Sequence, residues 1–197
     1  VSFSVVASTF GLMLVAELPD KTMIATLLMG SRSDPRFVWL GASAAFICQA
    51  ALAVLAGKLL LLLPHDVLEA VVAGLFLAGA AYLLLVPERV EEEEGEAEAA
   101  RERPARGWRV VLTAFGVIFV GEFGDLTQLL LVNLVGKTGE PLSVFVGGAA
   151  GLVSVAALGA FGGRFLLRIL PVRVIRKVAG VVFLGFSAWT IYGLVSS

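Results

Sequence analysis

Six long apolar stretches, separated by short polar turns, restrict this 197-residue chain to one solvent. A helix needs about 20 consecutive apolar residues to cross the hydrocarbon core of a bilayer. Stretches of that size run near Phe3–Met29, Phe37–Leu63, Val67–Val86, Trp108–Val135, Leu142–Leu167 and Val172–Val195. In lipid every backbone donor and acceptor must be satisfied inside the protein, which leaves helices and closed barrels as the only spanning structures. Turn chemistry marks the divisions: Ser31-Arg32-Ser33-Asp34-Pro35, Pro64-His65-Asp66, Gly136 to Pro141, and Pro171. The hydrophobic share, 58 %, agrees with this reading; a soluble domain carries roughly 45–50 %. The first stretch has no basic segment ahead of it, so it reads as a retained span rather than a secretory signal. The expected fold is an all-α integral membrane protein with six transmembrane helices.

Residues 1–86 and 108–197 repeat one another around a linker at 87–107. Phe10-Gly11 matches Phe115-Gly116, and Glu17, Asp20 and Thr22 match Glu122, Asp125 and Thr127. With the offset longer by one, Gly41 matches Gly147, Gly57-Lys58-Leu59-Leu60 matches Gly163-Arg164-Phe165-Leu166, and Val72-Ala73-Gly74 matches Val178-Ala179-Gly180. The matches cover all three helices of each half. Three spans is an odd number, so the second unit enters the membrane in the opposite sense. That is an inverted repeat, the plan of many secondary transporters, with sites near the midplane at the repeat interface. Both units together form one transmembrane domain.

Charge placement orients it. One side receives Arg32, Arg36, the linker arginines, Arg109 and the cluster from Arg164 to Lys177. The other receives Lys58 and Lys137, while Lys21 lies within a span. The positive-inside rule puts the richer side in the cytoplasm and both termini outside. The linker carries Glu91-Glu92-Glu93-Glu94, Glu96, Glu98 and Glu102. It reads as a solvated cytoplasmic tether, because acidic residues count little in that rule.

Two acidic motifs interrupt the first and fourth stretches: Glu17-Leu18-Pro19-Asp20-Lys21-Thr22 and Glu122-Phe123-Gly124-Asp125-Leu126-Thr127-Gln128. A carboxylate at bilayer depth costs roughly 3 kcal/mol on insertion scales. Paired structural carboxylates are the plain reading; the repetition of the motif argues for function. On a helix, residues three apart share a face, so each Glu and Asp are expected to point together. Inverted symmetry then brings both pairs face to face. Four such acids repel unless a cation or protons neutralise them, which suits an exchanger whose metal-loaded and protonated states exclude one another.

Thr22, Thr127 and Gln128 add neutral oxygens, or else hydrogen-bond between helices. Pro19 and Gly124 predict that both motif helices are broken or kinked at the midplane, since irregular backbone is tolerated where it lines a cavity. An all-oxygen donor set favours Ca²⁺, Mg²⁺ or Mn²⁺ over zinc or copper. Cys48 and His65 are the only residues of their types, so thiolate sites, His triads and His-Glu-x-x-His metalloprotease motifs are unsupported. Lys21 either pairs with a carboxylate or snorkels away. Gln49 and Ser154, at near-equivalent repeat positions, line the path or bond between helices, and Asn133, after the second motif, has the same two readings. Gly41, Gly57, Gly147 and Gly163 suit close helix packing or a homodimer. No basic patch with interleaved aromatics points to nucleic acid.

On these two motifs in a duplicated six-helix chain, the protein resembles the transmembrane protein 165 type (Gdt-one type) of cation/proton antiporters, in a bacterial form. The resemblance spans nearly the whole chain. It implies export of manganese and/or calcium from the cytosol, driven by protons, across the bacterial plasma (inner) membrane. It carries the cation-binding role onto Glu17, Asp20, Glu122 and Asp125, and the motif hydroxyls onto Thr22 and Thr127. The same four acids would couple protons. Metal ions and protons are then transported species, with no resident cofactor and no enzymatic activity expected. Pro19 stands where that family has Gly, and Leu126 where it usually has Lys or Arg. A second expectation is a proton-coupled exporter of a heavy metal or organic cation, with the carboxylates serving only as a proton relay.

Overall fold

The computed structural model describes residues 1–18, 20–85, 107–123 and 125–169, with 177, 181, 184, 185, 187, 188, 191 and 192 from the C-terminal stretch. Pro19, Gly124, all of the linker before Gly107 and most of the sixth expected span, Val172–Val195, lie outside the described residues. Among the described residues every regular element is helical: α1 (Phe3–Glu17), α2 (Lys21–Arg32), α3 (Pro35–Leu60), α4 (His65–Leu85), α5 (Trp108–Gly121), α6 (Leu126–Thr138) and α7 (Pro141–Ile169).

Local chemistry explains the boundaries. Asp34 caps α3 by accepting the Arg36 backbone N–H at 3.0 Å, and Pro35 fills the first helical position, where a missing N–H costs nothing. Gly139, at φ 65°, closes α6 in the left-handed conformation that glycine adopts without strain. Segments Pro35–Leu59 of α3 and Pro141–Gly162 of α7 are each long and apolar enough to cross a membrane. The pairs α1–α2 and α5–α6 pass the same test only as bent units, with angles of 72° and 69°, giving up to four spans among the described residues. The first and fourth expected stretches are thus each two helices meeting end to end. The third coincides with α4.

The helices exchange partners between halves. α3 packs along α5 and α6, whereas α7 packs along α1 and α2. The second span of each half therefore lies against the broken span of the other. Matched glycines make the contact possible at both places. A Cβ on Gly41 would collide with the Val111 carbonyl oxygen and sit 2.8 Å from the Ala114 Cβ. A Cβ on Gly147 would collide with the Val6 carbonyl oxygen and sit 2.9 Å from the Thr9 Cβ. Val6 and Val111 are themselves repeat-equivalent, so one close backbone contact occurs twice.

Met13, Phe46, Ile118, Leu130, Leu131 and Leu152 fill the main core between these helices. The Trp39 Nε1–H also ties α3 to α7, donating to the Val153 carbonyl at 3.3 Å. Leu40, Ile47, Leu52, Leu55 and Leu59 of α3 remain exposed. An apolar face of this length on a soluble protein would be a liability, but lipid is its natural solvent. Ser187 donates to the Ala73 carbonyl at 3.1 Å, which joins the C-terminal stretch to α4.

Candidate cation site

Both breaks are built alike. At the first, the Leu18 N–H still donates to Leu14, and the Asp20 N–H then closes a tight turn onto the Glu17 carbonyl at 3.0 Å. Asp20 is extended, at φ −89° and ψ 161°, and heads α2. At the second, the Asp125 N–H donates to the Glu122 carbonyl at 3.2 Å, and Asp125, at φ −75° and ψ 171°, heads α6. Each Glu thus ends one helix and each Asp begins the next. This corrects the expectation that Glu and Asp share a helix face at three-residue spacing. A sharp turn, which stops the helical rotation between them, brings them to the same place.

The break also aims two helix N-termini at the acids. Those ends carry unsatisfied N–H groups and the positive pole of the helix dipole, which favours negative charge nearby. An Asp at this position ordinarily accepts a bond from its own helix. Neither Asp20 nor Asp125 does so, leaving both carboxylates directed elsewhere.

Three of the four predicted acids converge. Carboxylate oxygens of Glu17, Asp20 and Glu122 all lie within 4.8 Å of one another. Glu17 and Glu122 are 0 % and 1 % exposed, and Asp20 is also buried. Asp125 adjoins Glu122 and lies near Glu17, at the edge of this trio, with its Oδ2 at 4.0 Å from the Lys21 Nζ. The hydroxyl of Thr22 donates to Glu17 Oε1 at 2.6 Å. Glu17 Oε2 and both oxygens of Glu122 are buried and make no hydrogen bond. Thr127 is buried and adjoins Glu17, and Gln128 follows it on α6, half-buried.

The remaining predicted residues separate. The Gln49 Nε2–H donates to the Phe119 carbonyl at 2.6 Å. That carbonyl is available because the Phe123 N–H, its helical partner, has turned to Val120 instead. Gln49 therefore holds the end of α5 one turn before Glu122, and its own buried Oε1 makes no hydrogen bond. Ser154 does nothing equivalent; its hydroxyl donates to the Ala150 carbonyl of its own helix at 2.7 Å. Asn133 is buried, with Oδ1 making no hydrogen bond. The sequence points to the broken backbone through Pro19 and Gly124 and to an interhelical hydrogen bond for Gln49, but not to the Phe119 carbonyl as its acceptor.

The energetics limit what this cluster can do. Three charged carboxylates at such separations repel by roughly 3 kcal/mol per pair at an effective dielectric near 20. Desolvation without partners adds several kcal/mol per ion. The arrangement demands positive charge. Oxygens about 2.3–2.6 Å from a Ca²⁺, on opposite sides of it, stand about 5 Å apart. Oxygens that all lie within 4.8 Å of one another can therefore reach a single such ion together.

Comparison with known proteins points the same way. The sequence model of a family described as divalent cation/proton antiporter GDT1 matches residues 5–91 and 110–197. The chain is 29 % identical to the GDT1-like protein sll0615 of Synechocystis sp. over 93 % of its own length and 97 % of that protein. It is 29 % identical to the chloroplastic protein PAM71 of Arabidopsis thaliana, over 96 % of its own length and 57 % of that one. With the chloroplastic PAM71-homolog of the same plant it shares 26 % identity, over 95 % and 59 %. It thus spans less than two thirds of either chloroplast protein. No solved structure is significantly similar.

Proposed function

The chain belongs to the GDT1 family of divalent cation/proton antiporters, and on that premise we propose that it exports Mn²⁺ and/or Ca²⁺ from the cytoplasm in exchange for protons. The observation that carries this reading is Glu122: a carboxylate 1 % exposed, with neither oxygen hydrogen-bonded, beside two further acids. A group in that condition is held charged only by a cation, or held neutral by a proton. The two ions then compete for one place, and competition of that kind is what couples their movements.

Glu17, Asp20 and Glu122 take the cation together with Asp125 beside Glu122, with the Thr22 and Thr127 hydroxyls as neutral neighbours. Thr22 also holds Glu17 in its rotamer through the 2.6 Å bond. Metal binding displaces protons from the acids, and protons arriving from the opposite face displace the metal. The two halves act as inverted three-helix repeats that rock about the site. The separate family matches to each half and the doubled glycine contact support that plan. Both termini lie outside and the linker lies in the cytoplasm of a bacterial inner membrane, in keeping with the basic-residue asymmetry.

The test is cation uptake by proteoliposomes under an imposed pH gradient, with internal pH monitored and Mn²⁺ and Ca²⁺ offered separately. Cation-dependent proton countertransport that disappears in Glu17→Gln and Glu122→Gln is the expected result. Full countertransport in both variants would defeat the assignment. Proton flux driven only by an organic cation or a heavy metal would transfer the role to a different substrate.

A further inference from the structure

The alternation proposed above needs two bodies that keep their shape and a plane between them. Close packing shows which helices belong to each. α7 runs past the first break and touches backbone on both sides of it. A Cβ on Gly147 of α7 would collide with the Val6 carbonyl oxygen, and one on Gly151 would sit 3.0 Å from that of Phe10, both on α1. Beyond the break, a Cβ on Gly159 would sit 3.2 Å from the Met23 carbonyl oxygen, and one on Gly30 of α2 would collide with that of Ala160. α3 treats the second break alike. Its Gly41 lies on Val111 of α5, and a Cβ on its Gly57 would be 3.1 Å from the Val132 carbonyl oxygen of α6. Backbones this close fix a register, because no side chain stands between them to repack. The bends of 72° and 69° are therefore each splinted by an unbroken helix of the other half.

α3 and α7 also pack along each other, but no described glycine of either has its nearest contacts on the other. There the Trp39 side chain reaches the Val153 carbonyl at 3.3 Å and stacks its ring, tilted by 52°, at 6.2 Å from that of Phe161. Gly148 of α7 turns toward α6, and its nearest neighbours are atoms of the Leu131 side chain. Side-chain contacts of this kind can re-form in a second arrangement. The site lies on the same plane: Glu17 and Asp20 come from one side of it, Glu122 and Asp125 from the other.

Among the described helices the chain crosses this plane twice, from α2 to α3 and from α6 to α7. The two crossings, Ser33-Asp34-Pro35 and Gly139-Glu140-Pro141, are repeat-equivalent. In each the incoming helix closes on its own carbonyl, Ser33 N–H to Met29 at 2.9 Å and Gly139 N–H to Val135 at 2.9 Å. The outgoing helix then starts at a proline, which has no N–H to bond back across the turn. Short junctions at helix ends are where hinge motion is absorbed.

We propose that transport moves two exchanged units, α1–α2 with α7 against α5–α6 with α3, and that Ser33–Pro35 and Gly139–Pro141 are the hinges. The inference rests on the antiporter reading above and deepens it by changing which helices travel together. The bends themselves stay fixed, and the acids of the two motifs part and meet as the units rock.

The experiment links cysteine pairs in the full chain, in a Cys48→Ala background, and reads cation-dependent proton movement in proteoliposomes. Ser2→Cys/Ser143→Cys joins α1 to α7, where the Ser2 N–H now meets the Ser143 hydroxyl at 2.9 Å. This link lies between the halves but inside one exchanged unit, so the linked protein should keep at least about half of the reduced rate. Trp39→Cys/Phe161→Cys, joined by a short bifunctional thiol reagent, ties the units together and should slow transport at least about tenfold, reversibly on reduction. Spin labels on exposed residues test the division without altering the Trp39 contact. Ca²⁺, or Cd²⁺ in place of Mn²⁺, serves as the diamagnetic cation. On its release in acid the distance from Leu40→Cys to Leu158→Cys, across the plane, should shift by about 3 Å or more. That from Leu40→Cys to Leu112→Cys, within one unit, should hold. Arrest by the Ser2–Ser143 link, a moving Leu40–Leu112 distance or a fixed Leu40–Leu158 distance would overturn the proposal. So would free transport with Trp39 and Phe161 positions joined. A parent chain that moves no protons in response to Mn²⁺ or Ca²⁺ would instead remove the antiporter reading beneath it.

Discussion

The two breaks share a backbone and differ in chemistry. At the first, Glu17 has a hydroxyl donor from its own motif, Thr22 at 2.6 Å. At the second, Glu122 has no hydrogen bond, although Thr127 occupies the position equivalent to Thr22. The freed end of α5 is held from outside its own half by Gln49, while α1 ends with the Leu18 N–H still bonded to Leu14 and gets no such help. A duplicated chain therefore keeps its scaffold through helix packing and turn geometry. Its polar side chains diverge more freely, because each needs only one local partner.

The strongest test of this contrast neutralises each Glu in turn. Both Glu17→Gln and Glu122→Gln should cut cation-dependent proton movement by a factor of a hundred or more, the scale of about 3 kcal/mol lost with an essential charged ligand. Stability should separate them. Glu122→Gln should raise the melting temperature in cation-free detergent at alkaline pH, where the neutralising proton is lost and the desolvation cost of the charge returns with no bond to lose. Glu17→Gln should gain less, because it weakens the bond with Thr22. Equal gains would erase the distinction between the two breaks.

Next in size come the matched glycines, where the halves should behave alike. Gly41→Ala and Gly147→Ala each push a methyl group into a facing backbone carbonyl, at about 1–3 kcal/mol for overpacking. Thermal unfolding of the two variants should show losses of similar size. A loss confined to one would mean that the exchanged packing is only half as symmetric as its sequence.

Gln49→Leu should be milder and one-sided. It orphans the Phe119 carbonyl, a cost of about 1–3 kcal/mol, and loosens the backbone leading to Glu122. KM for the cation should rise several-fold, while Ser154→Ala leaves it near the parental value. The smallest effect is expected at Glu140, which accepts from Ser143 at 2.6 Å and from the Ser2 backbone N–H at 3.0 Å. The Ser143 hydroxyl, above all, holds its carboxyl below the usual range. A depressed carboxyl stabilises the fold above its unfolded pKa, and that contribution fades as pH falls through the folded one. Glu140→Gln should therefore lower thermal stability slightly at neutral pH, and the difference from the parent should shrink in acid.

Much of this architecture was legible in the sequence because its causes are local. Apolar length and the Asp34-Pro35 start placed α3 within a few residues, and the glycine-to-proline turn at 139–141 placed the junction of α6 and α7. The doubled acidic motif marked the site. The angle of the breaks was not legible. Pro19 and Gly124 said that helix would be interrupted, but not that α2 and α6 would leave at about 70° and head their own segments with Asp. Nor was the unequal spacing of the four acids, three of them in mutual reach and Asp125 at their edge, since a repeat read as letters makes its two copies equal. Gln49 meets Phe119 from 70 residues away, and no local pattern announces a contact of that kind.

The exchange of partners between halves reaches into how such a chain could arise or be divided. Neither half carries the surface that its own second span needs, since α3 lies on α5 and α6 while α7 lies on α1 and α2. Expressed alone, residues 1–86 would turn the close-packing stripe around Gly41 toward lipid, with nothing there to receive it. A gene cut within the linker should therefore yield two polypeptides that survive together and are degraded apart, and a half-length forerunner would have been an obligate dimer from the start.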